Sequence, residues 1–372
     1  MKLVLNTIVI ACLSLTMQVN LRQYEFRYNV RPDITNENDQ VVFEKAADLL
    51  NQYLFSDKII KSFQIEDEIK KSWEEKTLVF ETTQDPAEQK KIYEERFNNE
   101  FMVKRMRNTR RVFELRYPLL WDQEGWDQHV NEPDKKIFYK KEKGNNIITQ
   151  YIEAVLYSPL MNSLILSNEV DLHSSWIPNV GQSKLPKIAS PLHTVLHQKF
   201  NLPWPMKSRE QFLESQSFVL EDDQALFTVV STIPDGKFLD VDLKASHGSV
   251  NMIFRDCISY FKPIGVNRTL LQMIIYFDPQ VQFLPKWFMD YFIRSVTGIA
   301  VPYMQNSSSD LPEVYFERYR EREEFYSQLR EEIQVILDKE QEFLEEAKKQ
   351  GSHQQQQQDK KEDRSGIKDD SL

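Results

Sequence analysis

Two histidines, His193 and His197, stand four residues apart in a chain of 372 residues. Residues 190–200 read as helical, and on a helix this spacing puts both imidazoles on one face. Zinc proteases use that spacing as His-Glu-x-x-His. Here Thr194 stands where the glutamate must be, and no third ligand follows. No metal is expected, and no other cofactor. The other pair that could make a nucleophile is His247 with Cys257. Cys257 lies in an apolar run and reads as a small core residue of a strand. No Ser/His/Asp or Cys/His set can be placed, so no catalytic residue is expected and the chain reads as a non-enzyme.

A different kind of chemistry is suggested by Asn201-Leu202-Pro203-Trp204-Pro205 and the polar residues after it. Each proline fixes its own φ and pushes the residue before it towards an extended conformation. Trp204 is thus a large apolar group held at one spot, ahead of an alternating run that starts at Gln211. An ordinary Pro-rich turn before a strand has the same local pattern, so the surrounding elements must decide.

Those elements change character along the chain. Residues 40–118 read as a helical extension. Val42, Phe43, Ala46, Leu49, Leu50, Tyr53 and Leu54 follow one helical face, and a second helix covers Gln64 to Phe80. A third starts at Asp85-Pro86, with Asp as N-cap and Pro in the first turn, and runs to about Leu115. Its later part is basic and amphipathic, from Lys104 to Arg116. That suits either anionic lipid headgroups or a solvated face.

From Trp121 the pattern is that of strands. Lys136–Lys140 and Ile147–Tyr157 flank a turn at Gly144-Asn145-Asn146, and Ser158-Pro159 opens a short helix that precedes Trp176. Further strands are expected at Phe212–Leu220, Ala225–Thr232, Ser249–Phe261 and Leu270–Phe277. At Pro285-Lys286-Trp287 the period becomes helical again. Phe288, Tyr291, Phe292, Val296, Ile299 and Ala300 make this helix apolar around most of its circumference, so it must pack on an apolar surface.

Taken together, residues 121–305 resemble the START lipid-transfer domain. The resemblance is carried by Gly125-Trp126 before the first strands and by Trp176 after a short helix. It is carried further by Pro203-Trp204-Pro205 with Arg209-Glu210, and by Leu284-Pro285-Lys286-Trp287 at the head of the last helix. It implies an α+β helix-grip fold, with a curved antiparallel sheet around a long C-terminal helix. It also implies one apolar tunnel that holds a single lipid or sterol, and a transient visit to a membrane surface. Its lid would be the last helix, with Gly298 and the Pro263–Asn267 loop as flexible points. The lipid-binding residues it implies are His173, Trp176, Trp204, Phe254, Arg255, Trp287, Phe288, Tyr291 and Phe292. Members that bind phosphatidylcholine carry Arg before and Asp after the tryptophan that matches Trp176. Here His173 and Ile177 stand there, which speaks against phosphocholine recognition. Arg255 and Asp256 are adjacent on the expected long strand and face opposite ways, each among apolar residues. The sequence does not say which faces inward.

The flanks complete the picture. Residues 1–20 read either as a signal-like segment, with Leu3–Leu15 as the apolar run of a signal peptide over residues 1–16, or as a buried apolar one. Residues 311–350 form an amphipathic helix for the N-terminal helices or for a coiled-coil partner chain. Residues 351–372 are a Gln-rich, charged tail expected to be disordered. The net charge of −10 sits mainly in residues 306–372, with 11 basic and 18 acidic side chains, which argues against nucleic acid as a partner. Two cysteines, Cys12 and Cys257, give no disulfide framework, so a reducing, cytoplasmic compartment is the plain reading, and the resemblance adds association with a membrane. The secretory pathway is the alternative if a signal is present, and only then would the sequons at Asn267 and Asn306 matter. Two other functions share the pattern: an interaction module with a vestigial pocket, and, third, a hydrolase or cyclase on the same architecture.

Overall fold

Asp85 accepts a hydrogen bond from the backbone N–H of Ala87 at 3.0 Å, and Pro86 follows it at the first helical position. This is the cap its residue type suggests, one of several in the computed structural model. The structure describes residues 31–141, 148–202, 204, 206–233, 236–278, 280 and 299–365. They fall into two units: a first that ends at Glu124, and a second that begins at Gly125 and takes in Phe55–Asp57.

In the first unit, helix α1 (Phe43–Phe55) buries Phe43, Ala46, Leu50 and Leu54, the expected face. Helix α2 (Ile59–Glu74) starts earlier than expected and stops short of Phe80. Lys76 takes a left-handed φ of 59°, the usual way to end a helix, and Val79 then pairs with Val42. Phe80 is thereby laid on Phe43, ring centroids 4.9 Å apart.

The single helix expected from Asp85 to Leu115 is interrupted. Helix α3 (Pro86–Tyr93) passes into a π-helical turn at Glu94–Asn98, and helix α4 (Phe101–Arg116) starts afresh. The Glu100 carboxylate caps it by accepting from Val103 N at 2.6 Å. The break falls at Asn98-Asn99, whose side chains compete with helical backbone bonds. Two of the basic residues of α4 turn to α2: Arg107 to the buried Glu66, and Arg110 to Asp67 at 2.6 Å.

The second unit is built on one long sheet. Strands β1 (Asp127–Glu132), β2 (Lys135–Lys141) and β3 (Ile148–Leu156) form an antiparallel meander. Helix α5 (Leu160–Asn168) and a 3-10 turn, Val170–Ser175, lead to a second meander. It consists of β4 (Val180–Ser190), β5 (His193–Phe200), β6 (Arg209–Leu220) and β7 (Ala225–Thr232). A small hairpin, β8 (Gly236–Phe238) and β9 (Val241–Leu243), follows. Then come the short β10 (Val250–Asn251) and β11 (Ile253–Phe254), and finally β12 (Cys257–Gly265) and β13 (Arg268–Asp278). The last hairpin joins the two meanders: β13 pairs with β3 and β12 with β7, giving the order β1-β2-β3-β13-β12-β7-β6-β5-β4.

Several expectations are corrected here. Residues 193–200 are a strand, not a helix. Their β-branched Thr194 and Val195 suit a pleat with β4 on one side and β6 on the other. Ser249–Phe261 is not one strand. Asp256 sits at a φ of 52°, so the chain breaks between β11 and β12. The Pro263–Asn267 loop is a tight hairpin in which Gly265 ends β12 and Arg268 opens β13.

The C-terminal helix expected over residues 311–350 is three helices preceded by another. They are α6 (Val301–Ser309), α7 (Glu313–Glu321), α8 (Glu323–Glu332) and α9 (Gln334–Ser365). Part of their apolar stripe is covered within the chain. Tyr315, Tyr326, Leu329, Ile333 and Ile336 share one buried cluster with Leu160 and Leu164 of α5 and Leu271 of β13. The tail after Gly351, expected to lack structure, continues α9 to Ser365. Gln, Lys and Glu are good helix formers, and after Gly351 no Gly or Pro interrupts the run to that point. The signal-like segment at 1–20, the turn at Gly144–Asn146 and the helix from Pro285 through Gly298 lie outside the described residues. No described helix is long and apolar enough to cross a membrane.

Candidate functional site

The burial pattern of β6 shows where the open space lies. Phe212, Glu214, Gln216 and Phe218, on its outer face, are buried, while Ser215 and Ser217, on its inner face, are only half-buried. These serines face a cavity of about 370 Å³. Its walls come from seven adjacent strands, β4 to β7, β12, β13 and β3, and from α5, α6 and α8. In a flat sheet at ~4.8 Å per strand the outer two of seven would stand roughly 29 Å apart. One cavity of this size can touch all of them only because the sheet curls around it. The helical side supplies Val301 and Met304 of α6 and Phe325 and Leu329 of α8.

Polar contacts hold this helical side in place. The buried Glu169 carboxylate accepts from the Tyr326 hydroxyl at 2.6 Å and from Arg322 at 2.8 Å. Trp176 and Tyr303 stack with ring centroids 5.0 Å apart and planes 4° from parallel.

The lining is mostly apolar, and among the described residues it contains no charged side chain. One wall carries a polar row. His173 Nε2 lies 3.0 Å from the carbonyl oxygen of Ser167, Gln198 Nε2 lies 3.3 Å from His173 Nδ1, and Gln211 Nε2 donates to Gln198 Oε1 at 3.0 Å. Burial pushes the His173 imidazole down to about 4, against the smaller upward pull of its bonds to Ser167 and Leu166 and of Asp171. The ring is therefore neutral at ordinary pH.

Of the residues read from the sequence as lipid contacts, His173, Trp176 and Phe254 line the cavity. Trp204 does not. It is 91% exposed, in the segment between β5 and β6, and is not part of the cavity lining. Arg255 does not either, since the chain break beside Asp256 leaves it exposed. Trp287, Phe288, Tyr291 and Phe292 lie outside the described residues. Gln198 and Gln211 were missed. Alternation along β5 and β6 places both on the inner face; reading 190–200 as a helix hid the parity of Gln198, while Gln211 stood at the head of an alternating run and was not read as a ligand contact.

The two histidines that suggested a metal are on the outer face, each with its own acid. His193 Nε2 lies 2.9 Å from Glu214, and His197 Nε2 lies 2.5 Å from Glu210. Glu210 also accepts from the backbone and hydroxyl of Ser246. These bonds, with the pull of His197, outweigh burial and hold its carboxyl below the usual range. Beside them Phe238 and Leu243 of the β8–β9 hairpin pack with Val195 and Phe212. Among the described residues no group of three or more His, Cys, Asp or Glu side chains could hold a metal ion. Cys257 is buried, and its sulfur accepts from Tyr276 N at 3.2 Å.

No protein-family model matches the chain, and no curated protein matches it in sequence. Solved START domains are similar to it in structure. Human StAR-related lipid transfer protein 5 is 16% identical, with a TM-score of 0.48, over 56% of this chain and 98% of its own. Human STARD10 is 12% identical, also with a TM-score of 0.48, over 56% of this chain and 83% of its own. An aromatase/cyclase from Streptomyces is 11% identical, with a TM-score of 0.27, over 48% of this chain and 97% of its own.

Proposed function

We propose that the second unit binds one lipid molecule in the cavity between sheet and helices, and carries it between membranes without altering it. The observation that supports this is the cavity itself: about 370 Å³ of open, mainly apolar space with no charged side chain among its described lining residues. Moving an acyl or sterol body from water into such a space gains roughly 0.8 kcal/mol per CH₂. Pockets of 300–1,000 Å³ with few polar groups are of the kind that hold small apolar ligands. The open volume favours binding over an adaptor with a vestigial pocket, whose walls would be filled by large side chains. The reading is non-enzymatic, since His173 is neutral with both ring nitrogens engaged, and the Cys257 sulfur is bonded to the Tyr276 backbone.

The test is uptake of labelled lipid from mixed liposomes by the full chain and by Ser215→Trp, whose indole would occupy much of the cavity. Overpacking of this kind costs about 1–3 kcal/mol, so thermal unfolding is followed alongside. Uptake by the parent chain and its loss in a folded variant is the expected result. Equal uptake by a folded Ser215→Trp would place the lipid elsewhere and overturn the proposal.

A further inference from the structure

The polar row on the cavity wall has a direction, set by its first member. The Ser167 carbonyl can only accept, so His173 Nε2, 3.0 Å away, carries the ring proton. A neutral imidazole then leaves Nδ1 as an acceptor. Gln198 must turn its NH₂ to it, at 3.3 Å, and its Oε1 away. That oxygen in turn requires the NH₂ of Gln211, at 3.0 Å. Both amide orientations follow, and the row ends on Gln211 Oε1. This oxygen is buried and has no hydrogen-bond partner among the described residues, in a residue that is 2% exposed and lines the cavity. The Trp176 indole N–H on the same wall meets the Tyr315 hydroxyl, short of full hydrogen-bond geometry.

A buried acceptor of this kind asks for a donor. A ketone or ester offers only lone pairs. A phosphate or carboxylate brings a charge, and no described lining residue could pair it. An alcohol on an apolar body satisfies both conditions. We infer that the cavity selects an uncharged lipid alcohol, whose hydroxyl donates to Gln211 Oε1 at the end of the Ser167–His173–Gln198–Gln211 row. This rests on the lipid-binding proposal and narrows it to one ligand chemistry. A sterol and a diacylglycerol both present it.

The experiment uses the full chain with two matched pairs of labelled probes: cholesterol against its 3-ketone, and dioleoylglycerol against the same molecule acetylated at its free hydroxyl. Phosphatidylcholine is the fifth probe. In whichever skeleton fits, the alcohol should bind about tenfold tighter than its blocked partner, the worth of one buried neutral hydrogen bond. The pair that shows the preference names the source. In Gln211→Leu the ratio should fall to near one. Equal binding of alcohol and blocked partner by the parent chain would overturn the inference, and that comparison does not depend on the variant folding. So would a preference that survives in Gln211→Leu. Binding of phosphatidylcholine without either alcohol would refute it while leaving lipid binding intact. Binding of none of the five would remove the lipid-binding proposal itself.

Discussion

At the scale of single residues, His173 is the most constrained group of the cavity wall. It is held between Ser167 and Gln198, with Asp171 the charge that acts on it. Its folded value of about 4 lies below the ordinary histidine value of 6.5. The unfolded chain therefore takes up a proton that the folded one refuses as the pH falls from 6.5 to 4. Stability is full above 6.5, declines through that window, and has lost this contribution below it. The shift corresponds to a loss on the order of 3 kcal/mol. Chemical denaturation of the full chain between pH 7 and 4.5 should show the decline. His173→Gln, which keeps one donor and one acceptor, should flatten it. Parallel pH profiles for the two proteins would contradict the assignment. His173 was legible in the sequence as a group facing the ligand, but its role was not. The sequence cannot reveal that its proton is fixed by a carbonyl six residues earlier.

At the scale of elements, the C-terminal helices belong to the core. Tyr315 of α7, Tyr326 and Leu329 of α8, and Ile333 and Ile336 around the start of α9 are at most 1% exposed, packed with α5 and the sheet. Pro159 gives α5 no side-chain cap. Its Leu160 N–H is met instead by the Glu340 carboxylate of α9 at 2.6 Å. At about 1.5–3 kcal/mol for each fully buried apolar side chain, these five residues contribute roughly 10 kcal/mol. That matches the whole stability of an ordinary domain, about 5–15 kcal/mol. A chain ended after Asp310 should therefore show no cooperative unfolding of the second unit by circular dichroism and calorimetry. An undiminished transition would mean that α7 to α9 are an appendage. The amphipathic stripe over residues 311–350 was legible. Its partner was not, because a stripe specifies an apolar neighbour without naming it. The breaks at Arg322 and Ile333 carry no Gly or Pro signal.

At the scale of the molecule, the fold class was legible because two signals agreed. One was alternation through residues 127–278, with turn residues between the runs. The other was helical periodicity on either side. The strand order was not legible, since it depends on β12 and β13 entering between the two meanders, and the pairing of β13 with β3 reaches across more than a hundred residues. Local reading failed where tertiary pairing overruled it. His193–Phe200 became a strand between β4 and β6, and Arg255-Asp256 a kink between strands. Those two failures account for two of the errors at the site: Gln198 was hidden, and Arg255 was counted among the lipid contacts. Among the described residues of this acidic chain no Asp, Glu, Lys or Arg lines the cavity. That contrast is the molecular form of the central claim, that this is a container for an uncharged, largely apolar guest.

The most direct measurement is native mass spectrometry of the full chain, purified without detergent from the cells that make it, with organic extraction of whatever is released. The account predicts a mass above that of the bare chain by one lipid, and an extract containing a neutral lipid alcohol in about equimolar amount. A bare mass that stays bare after incubation with mixed liposomes would contradict it.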